Sequence, residues 1–272
     1  MSIYFPLLIM ENLCDSYEKV RPELKAFDLV FFKGVGFSAD LIRLGEWMTS
    51  TNKTCDPNTL EFSHVGIVLT SDLLQGIKNV QPNELYLWES TLNDRAGIGV
   101  PDINGKYLKG VQLRDLDSVI IEYNKYNVKK AVSKGNKPKD SYISIALLDE
   151  NSRDCVNKNY ATIKADFPEI FTRYQDIRYD AQPLSLLGSM FECFRWEKLN
   201  DEINETLGSK DWLFCSELVT VIFKEVGIFP NSCKPGFVVP TDLLGHDRDK
   251  IEDGGVPLVI KKPINLMCNT SI

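Results

Sequence analysis

Apolar positions in the first 125 residues fall into short, compact runs separated by polar loops. The run FDLVFF at 27–32 ends at Lys33-Gly34, which predicts a buried strand. Ser38 is placed to cap a helix with Leu41, Ile42, Leu44 and Met48 as its apolar stripe. A polar loop, TNKTCDPNTLE, leads to FSHVGIVL at 62–69, where length and β-branched side chains predict a second strand. Further strands are predicted at 85–90 (LYLWES), 110–113 (GVQL) and 118–123 (SVIIEY). One strand, a helix and then four strands in close succession favour an antiparallel sheet.

From about 124 to 210 the strand pattern lapses. The run NKYNVKKAVSKGNKPKD has the character of a lysine-rich, solvated loop. Residues 157–176 predict a helix interrupted at Phe167-Pro168, followed by a segment containing Pro183. Residues 211–229 carry the clearest helical period, with Phe214, Leu218, Ile222 and Val226 at i+4 spacing and Val219 and Phe223 widening the stripe. Asp211 is a candidate N-cap, and Gly227 and Pro230 are stop signals. After it come PGFVVPTDLLG and a strand-like VPLVIKKP. With no repeat and no low-complexity linker, the expectation is one α+β domain over 1–272, with a helical insertion at about 124–210.

Composition narrows the function classes. The chain is 43% hydrophobic and 25% charged, the mix of a soluble globular protein. Thirty-eight acids against 31 bases leave a net charge of −7, which argues against a bulk basic surface and hence against nucleic acid as a partner. The N-terminal MSIYFPLLIMEN is short, carries Pro6 and lacks a basic n-region, so a strand or packing arm is expected rather than a signal peptide. No run reaches the ~18 to 20 apolar residues of a spanning helix. Peripheral contact with an anionic membrane through Lys129 to Lys139 stays open. Seven scattered cysteines with no C-x-x-C pair fit neither a thiolate zinc site nor a disulfide framework. A reducing, cytoplasmic compartment is the matching expectation. Histidine occurs only at His64 and His246, the latter in the polar run HDRDK.

Three residues could act together: Cys215, His64 and Glu89. A cysteine in a first helical turn meets unpaired N–H groups and the positive end of the macrodipole, which favour a thiolate. Its backbone N–H is then placed as an oxyanion donor. A nucleophilic thiol needs a base, and histidine is the usual one. His64 opens its predicted strand and Glu89 closes the next, so antiparallel pairing makes them neighbours on one face. A carboxylate there orients an imidazole and stabilises its cation. Each residue also has an ordinary structural reading: a small core cysteine, a structural histidine, a carboxylate on an edge strand facing water.

The pieces FDLVFF, Phe62-Ser63-His64-Val65-Gly66-Ile67-Val68, Leu87-Trp88-Glu89-Ser90 and Phe214-Cys215-Ser216-Glu217-Leu218-Val219, in that order, resemble the circularly permuted branch of the NlpC-type papain-like cysteine hydrolases. That branch holds YiiX-like and poxvirus-type proteins, with lecithin retinol acyltransferase as a more distant relative. The likeness covers about 27–227, with a trailing piece at Pro240-Thr241-Asp242-Leu243. The resemblance implies a permuted papain-like fold with Cys215 as nucleophile, His64 as general base, Glu89 as the orienting residue and Tyr179 lining the cleft. It implies acyl cleavage or transfer on peptide or lipid-acyl substrates, with no metal or organic cofactor. It also carries a second expectation from another class: a catalytically idle structural or interaction protein, possible in a viral particle. The long insertion before Cys215 departs from the family's pattern and leaves the substrate open.

Overall fold

The computed structural model describes residues 15–33, 62–91, 98–138, 141–178, 213–233, 238, 240, 242–244 and 259–266. Within them lie strands β1 (Leu29–Phe32), β2 (His64–Thr70), β3 (Leu85–Thr91), β4 (Gly110–Asp115), β5 (Ile143–Ala146) and β6 (Ile264–Asn265). The helices are α1 (Asp15–Val20), α2 (Leu116–Ser133), α3 (Glu150–Tyr174) and α4 (Cys215–Glu225). The strands form one six-stranded sheet in the order β4-β3-β2-β1-β5-β6, antiparallel at each pairing. The protein is thus mixed α and β with an antiparallel sheet.

Both faces of this sheet are covered, which explains why its strands read as continuous apolar runs. Val65, Ile67, Leu69, Tyr86, Trp88, Val111 and Leu113 pack with residues of α3 and α4 in one cluster. Val30, Phe32, Val68, Leu85 and Leu87 pack with Leu116, Val119 and Ile120 of α2 in the other. The period-two alternation of each strand divides its side chains between these two layers. Trp88 is fully buried, its ring 5.7 Å from Phe167 and 5.3 Å from Phe171 of α3.

Several expectations give way to longer-range effects. Residues 118–123 are helical rather than extended, because Asp115 caps α2 by accepting from the Ser118 N–H at 2.8 Å. Leu116, Val119 and Ile120 then share a buried face at i+3 and i+4 spacing, a period hidden by the β-branched cluster. The helix continues to Ser133, so much of the lysine-rich run is helical rather than loop. The range 124–210, expected as a helical insertion, contains β5, an inner strand paired with β1 and β6. Four residues, ISIA, are too few to carry a clear alternation. Helix α3 starts at Glu150, earlier than expected, where Asp149 accepts from the Ser152 N–H at 2.7 Å. Pro168 lies inside α3 without ending it. The strand-like stretch near 260 supplies a bridge between Leu148 and Ile260 and then β6.

The expected helix over 38–48, the N-terminal arm, Asp211, Tyr179, the Pro183 segment and His246 lie outside the described residues. No helix among the described residues is long and apolar enough to cross a membrane.

Candidate active site

The register of β2 and β3 builds the site. Ile67 stands opposite Trp88 and Val68 opposite Leu87, so the same antiparallel pairing carried on brings Glu89 beside Gly66 and diagonal to His64. Strand alternation puts His64, Val68, Leu87 and Glu89 on one face. His64 Nε2 and Glu89 Oε2 are 2.5 Å apart, with the imidazole donating to the carboxylate. Gly66 between them has a steric reason. A β-carbon there would stand 2.7 Å from Leu87 Cδ1 and 3.1 Å from Glu89 Cβ. The glycine in S-H-V-G-I therefore lets Glu89 sit close.

Glu89 is not an edge-strand carboxylate facing water. It is 1% exposed and lies on β3, between β2 and β4. Gln112 faces it across β4, and Arg114 faces Leu87, which again sets Arg114 diagonal to Glu89 on the same face. Arg114 Nε donates to Glu89 Oε1 at 2.7 Å, and Arg114 Nη2 donates to that same oxygen. Its Nη1 reaches the Val100 carbonyl at 3.4 Å. The carboxylate is thus divided, one oxygen for the guanidinium and the other for the imidazole. Burial would raise the Glu89 carboxyl, but the Arg114 charge and the His64 hydrogen bond outweigh it and hold the group below the usual carboxylate range.

Arg114 is the site residue that sequence reasoning missed. The strand predicted at 110–113 stopped one residue short of it. The available signal was parity: in GVQLRD, Gln112 and Arg114 are two apart and share a face.

Cys215 is the first residue of α4 and is buried. Phe214 before it is extended, with φ −77° and ψ 166°, and its N–H donates to Glu217 Oε2 at 2.8 Å. That return contact is the glutamate half of a capping box. Three further bonds fix the turn. Ser90 Oγ donates to the Leu213 carbonyl at 2.6 Å, and the Leu213 N–H donates to the Arg178 carbonyl at 3.0 Å. Ser216 Oγ donates to the Val238 carbonyl at 2.6 Å. Leu218, Val219, Ile222 and Phe223 bury the opposite end of the apolar stripe against the sheet. As the first helical residue, Cys215 has a backbone N–H with no intrahelical acceptor.

His64 is hydrogen bonded to Glu89, and the Cys215 side chain is close enough to act on the imidazole electrostatically. With Nε2 committed to Glu89, Nδ1 is the ring nitrogen left for the sulfur. Burial pulls the imidazole's affinity for a proton down; the nearby Cys215 side chain, then the hydrogen bond and charge of Glu89, overcome it and push His64 up to about 10. The Phe32 ring lies 5.4 Å from the imidazole, and Tyr123 of α2 stacks 4.7 Å from Phe32.

The structure therefore joins His64, Glu89 and Arg114 in one hydrogen-bonded row and sets the Cys215 side chain beside its imidazole end. Cys155, Cys215 and Cys233 are free thiols. Among the described residues no cluster of three or more His, Cys, Asp or Glu side chains could hold a metal ion. The chain matches no protein-family model and no curated protein sequence. What the site can do rests on its geometry.

Proposed function

We propose that the protein is a thiol hydrolase or acyltransferase that works through an acyl-enzyme at Cys215. The observation that carries this reading is the His64–Glu89 hydrogen bond, with the Cys215 side chain near enough to act on the same imidazole. Cys215 passes its proton to His64, and Sγ attacks the carbonyl carbon of an amide or ester. The Cys215 N–H, unpaired within the helix, faces the developing oxyanion. As the C–N or C–O bond breaks, the imidazolium returns the proton to the leaving amine or alcohol. Water, or a second nucleophile in a transferase, then attacks the thioester while His64 takes its proton, and the C–S bond breaks. Glu89 holds the imidazole's orientation and balances its charge throughout. Each step uses groups of this chain, so no cofactor is invoked.

The chain order His64, Glu89, Cys215, with a histidine–glutamate pair on neighbouring strands and the cysteine opening a helix against the same sheet, supports a permuted papain-like, NlpC-type arrangement. Peptide and lipid-acyl compounds are the substrate classes to test. A thiol-reactive probe should label Cys215 fastest among the seven cysteines, and His64→Ala should slow that reaction strongly. Equal labelling in the two proteins sinks the proposal.

One observation favours a second reading, a catalytically idle structural or interaction protein on the same fold, as in a viral particle. Cys215 is only 4% exposed. That reading expects the native protein to leave Cys215 unlabelled while more exposed thiols react.

A further inference from the structure

We propose that Arg114 is a positioning residue of this site: its guanidinium clamps one oxygen of Glu89 so that the other remains an unprotonated acceptor for His64. The inference deepens the thiol hydrolase reading and rests on it for its consequence in catalysis.

Geometry carries the proposal. Two guanidinium nitrogens converge on Glu89 Oε1, and the third is held by the Val100 carbonyl. The fork is fixed at both ends, and Arg114 is 3% exposed. A planar guanidinium held this way fixes the position of that oxygen as well as balancing its charge. The remaining oxygen, Oε2, is the one 2.5 Å from His64 Nε2. Stability is a poor explanation for such a pair, because a buried ion pair often does no better than well-packed apolar side chains.

Without the cation, a carboxyl as buried as Glu89 would take up a proton at higher pH. Protonated, it no longer balances an imidazolium. The charged and titratable groups acting on Glu89 are Arg114 from β4 and His64 from β2, with Cys215 of α4 acting on His64. From α2, Tyr123 packs on Phe32, which packs on His64. Gln112, opposite Glu89, does not titrate. Arg114 thus extends the range over which the row works toward acid.

The test is the pH dependence of Cys215 labelling in the full chain. In Arg114→Met the acid limb should move up by roughly 1 to 3 pH units. Arg114→Lys, which keeps a cation but loses the fork, should fall between this variant and the parent, and it carries the test if Arg114→Met does not fold. On a Glu89→Gln background there is no carboxyl to protonate, so the same substitutions should leave the limb in place. Limbs that coincide with the parent's, or that move equally on the Glu89→Gln background, overturn the proposal. A separate readout does not depend on thiol reactivity: the Glu89 carboxyl carbon followed by NMR titration. An unreactive Cys215 with a displaced Glu89 titration rejects the hydrolase reading and keeps the Arg114 role. An undisplaced Glu89 titration rejects the Arg114 role whatever Cys215 does.

Discussion

Ser90 Oγ donates to the carbonyl of Leu213 at 2.6 Å, so the strand residue after Glu89 is tied to the turn two residues before Cys215. The acid end and the sulfur end of the row are joined by a bond that passes through neither. Ser90 is fully buried, so the bond is shielded from competing water.

Ser90→Ala should therefore affect reactivity more than stability. Loss of one buried hydrogen bond costs about 1 to 3 kcal/mol when its acceptor is left unpaired. A displaced turn should slow Cys215 labelling by about 10- to 100-fold, because small misplacements are costly to reacting groups. Labelling kinetics beside urea unfolding separate the two. An unchanged rate in a destabilised variant would show that the bond holds the fold and not the site.

Gly66→Ala should destabilise the protein by about 1 to 3 kcal/mol, as overpacking does. The new methyl group would press on Leu87 and Glu89, and Leu87 is fully buried with little room to swing away. Adding Leu87→Ala should relieve that contact, so the double variant should cost less than the sum of the single ones. Strict additivity in denaturant titrations would remove the steric account of this glycine.

The imidazole makes a signed prediction. The folded-state affinity of His64 for a proton lies above its ordinary value of 6.5, at about 10. Its contribution to stability is then fully present below about 6.5 and is lost as pH rises through about 10. The stability advantage of the parent protein over His64→Gln should shrink across that window in urea unfolding. An advantage that stays flat there would contradict the charged row.

Glu89 makes the opposite prediction at the acid end. Its carboxyl is held below the ordinary value of 4.5, so its contribution is present above that value and is lost as pH falls below it. Glu89→Gln would leave Arg114 buried without its counter-charge, at a cost of about 3 to 5 kcal/mol near neutral pH. That deficit should narrow as pH drops below 4.5, where the parent's own carboxylate is being neutralised. A constant deficit over the acid range would mean that Glu89 does not titrate as part of the pair.

What was legible in the chain was local. Strands β1 to β4 follow from compact apolar runs, and α4 follows from an apolar stripe at i+4 spacing that ends before Gly227. The His64–Glu89 partnership was legible because the start of one antiparallel strand faces the end of the next. What escaped depends on distant partners or on a single capping atom. Asp115 turns SVIIEY into a helix, although its β-branched residues favour a strand. β5 exists because β1 lies beside it, not because ISIA is distinctive. Arg114 reaches Glu89 through the register between β3 and β4, whereas parity within GVQLRD indicates only the face it shares with Gln112.

The bond between the Leu213 N–H and the Arg178 carbonyl acts as a clasp. Arg178 also bridges Gly110, so the residues leading into Cys215 are anchored to the strand that carries Arg114. A backbone shift at Arg178 or Gly110 would therefore be felt at Cys215 through the main chain, and not through any side chain of the row. The station of the sulfur is thus written partly in backbone, out of reach of side-chain substitution.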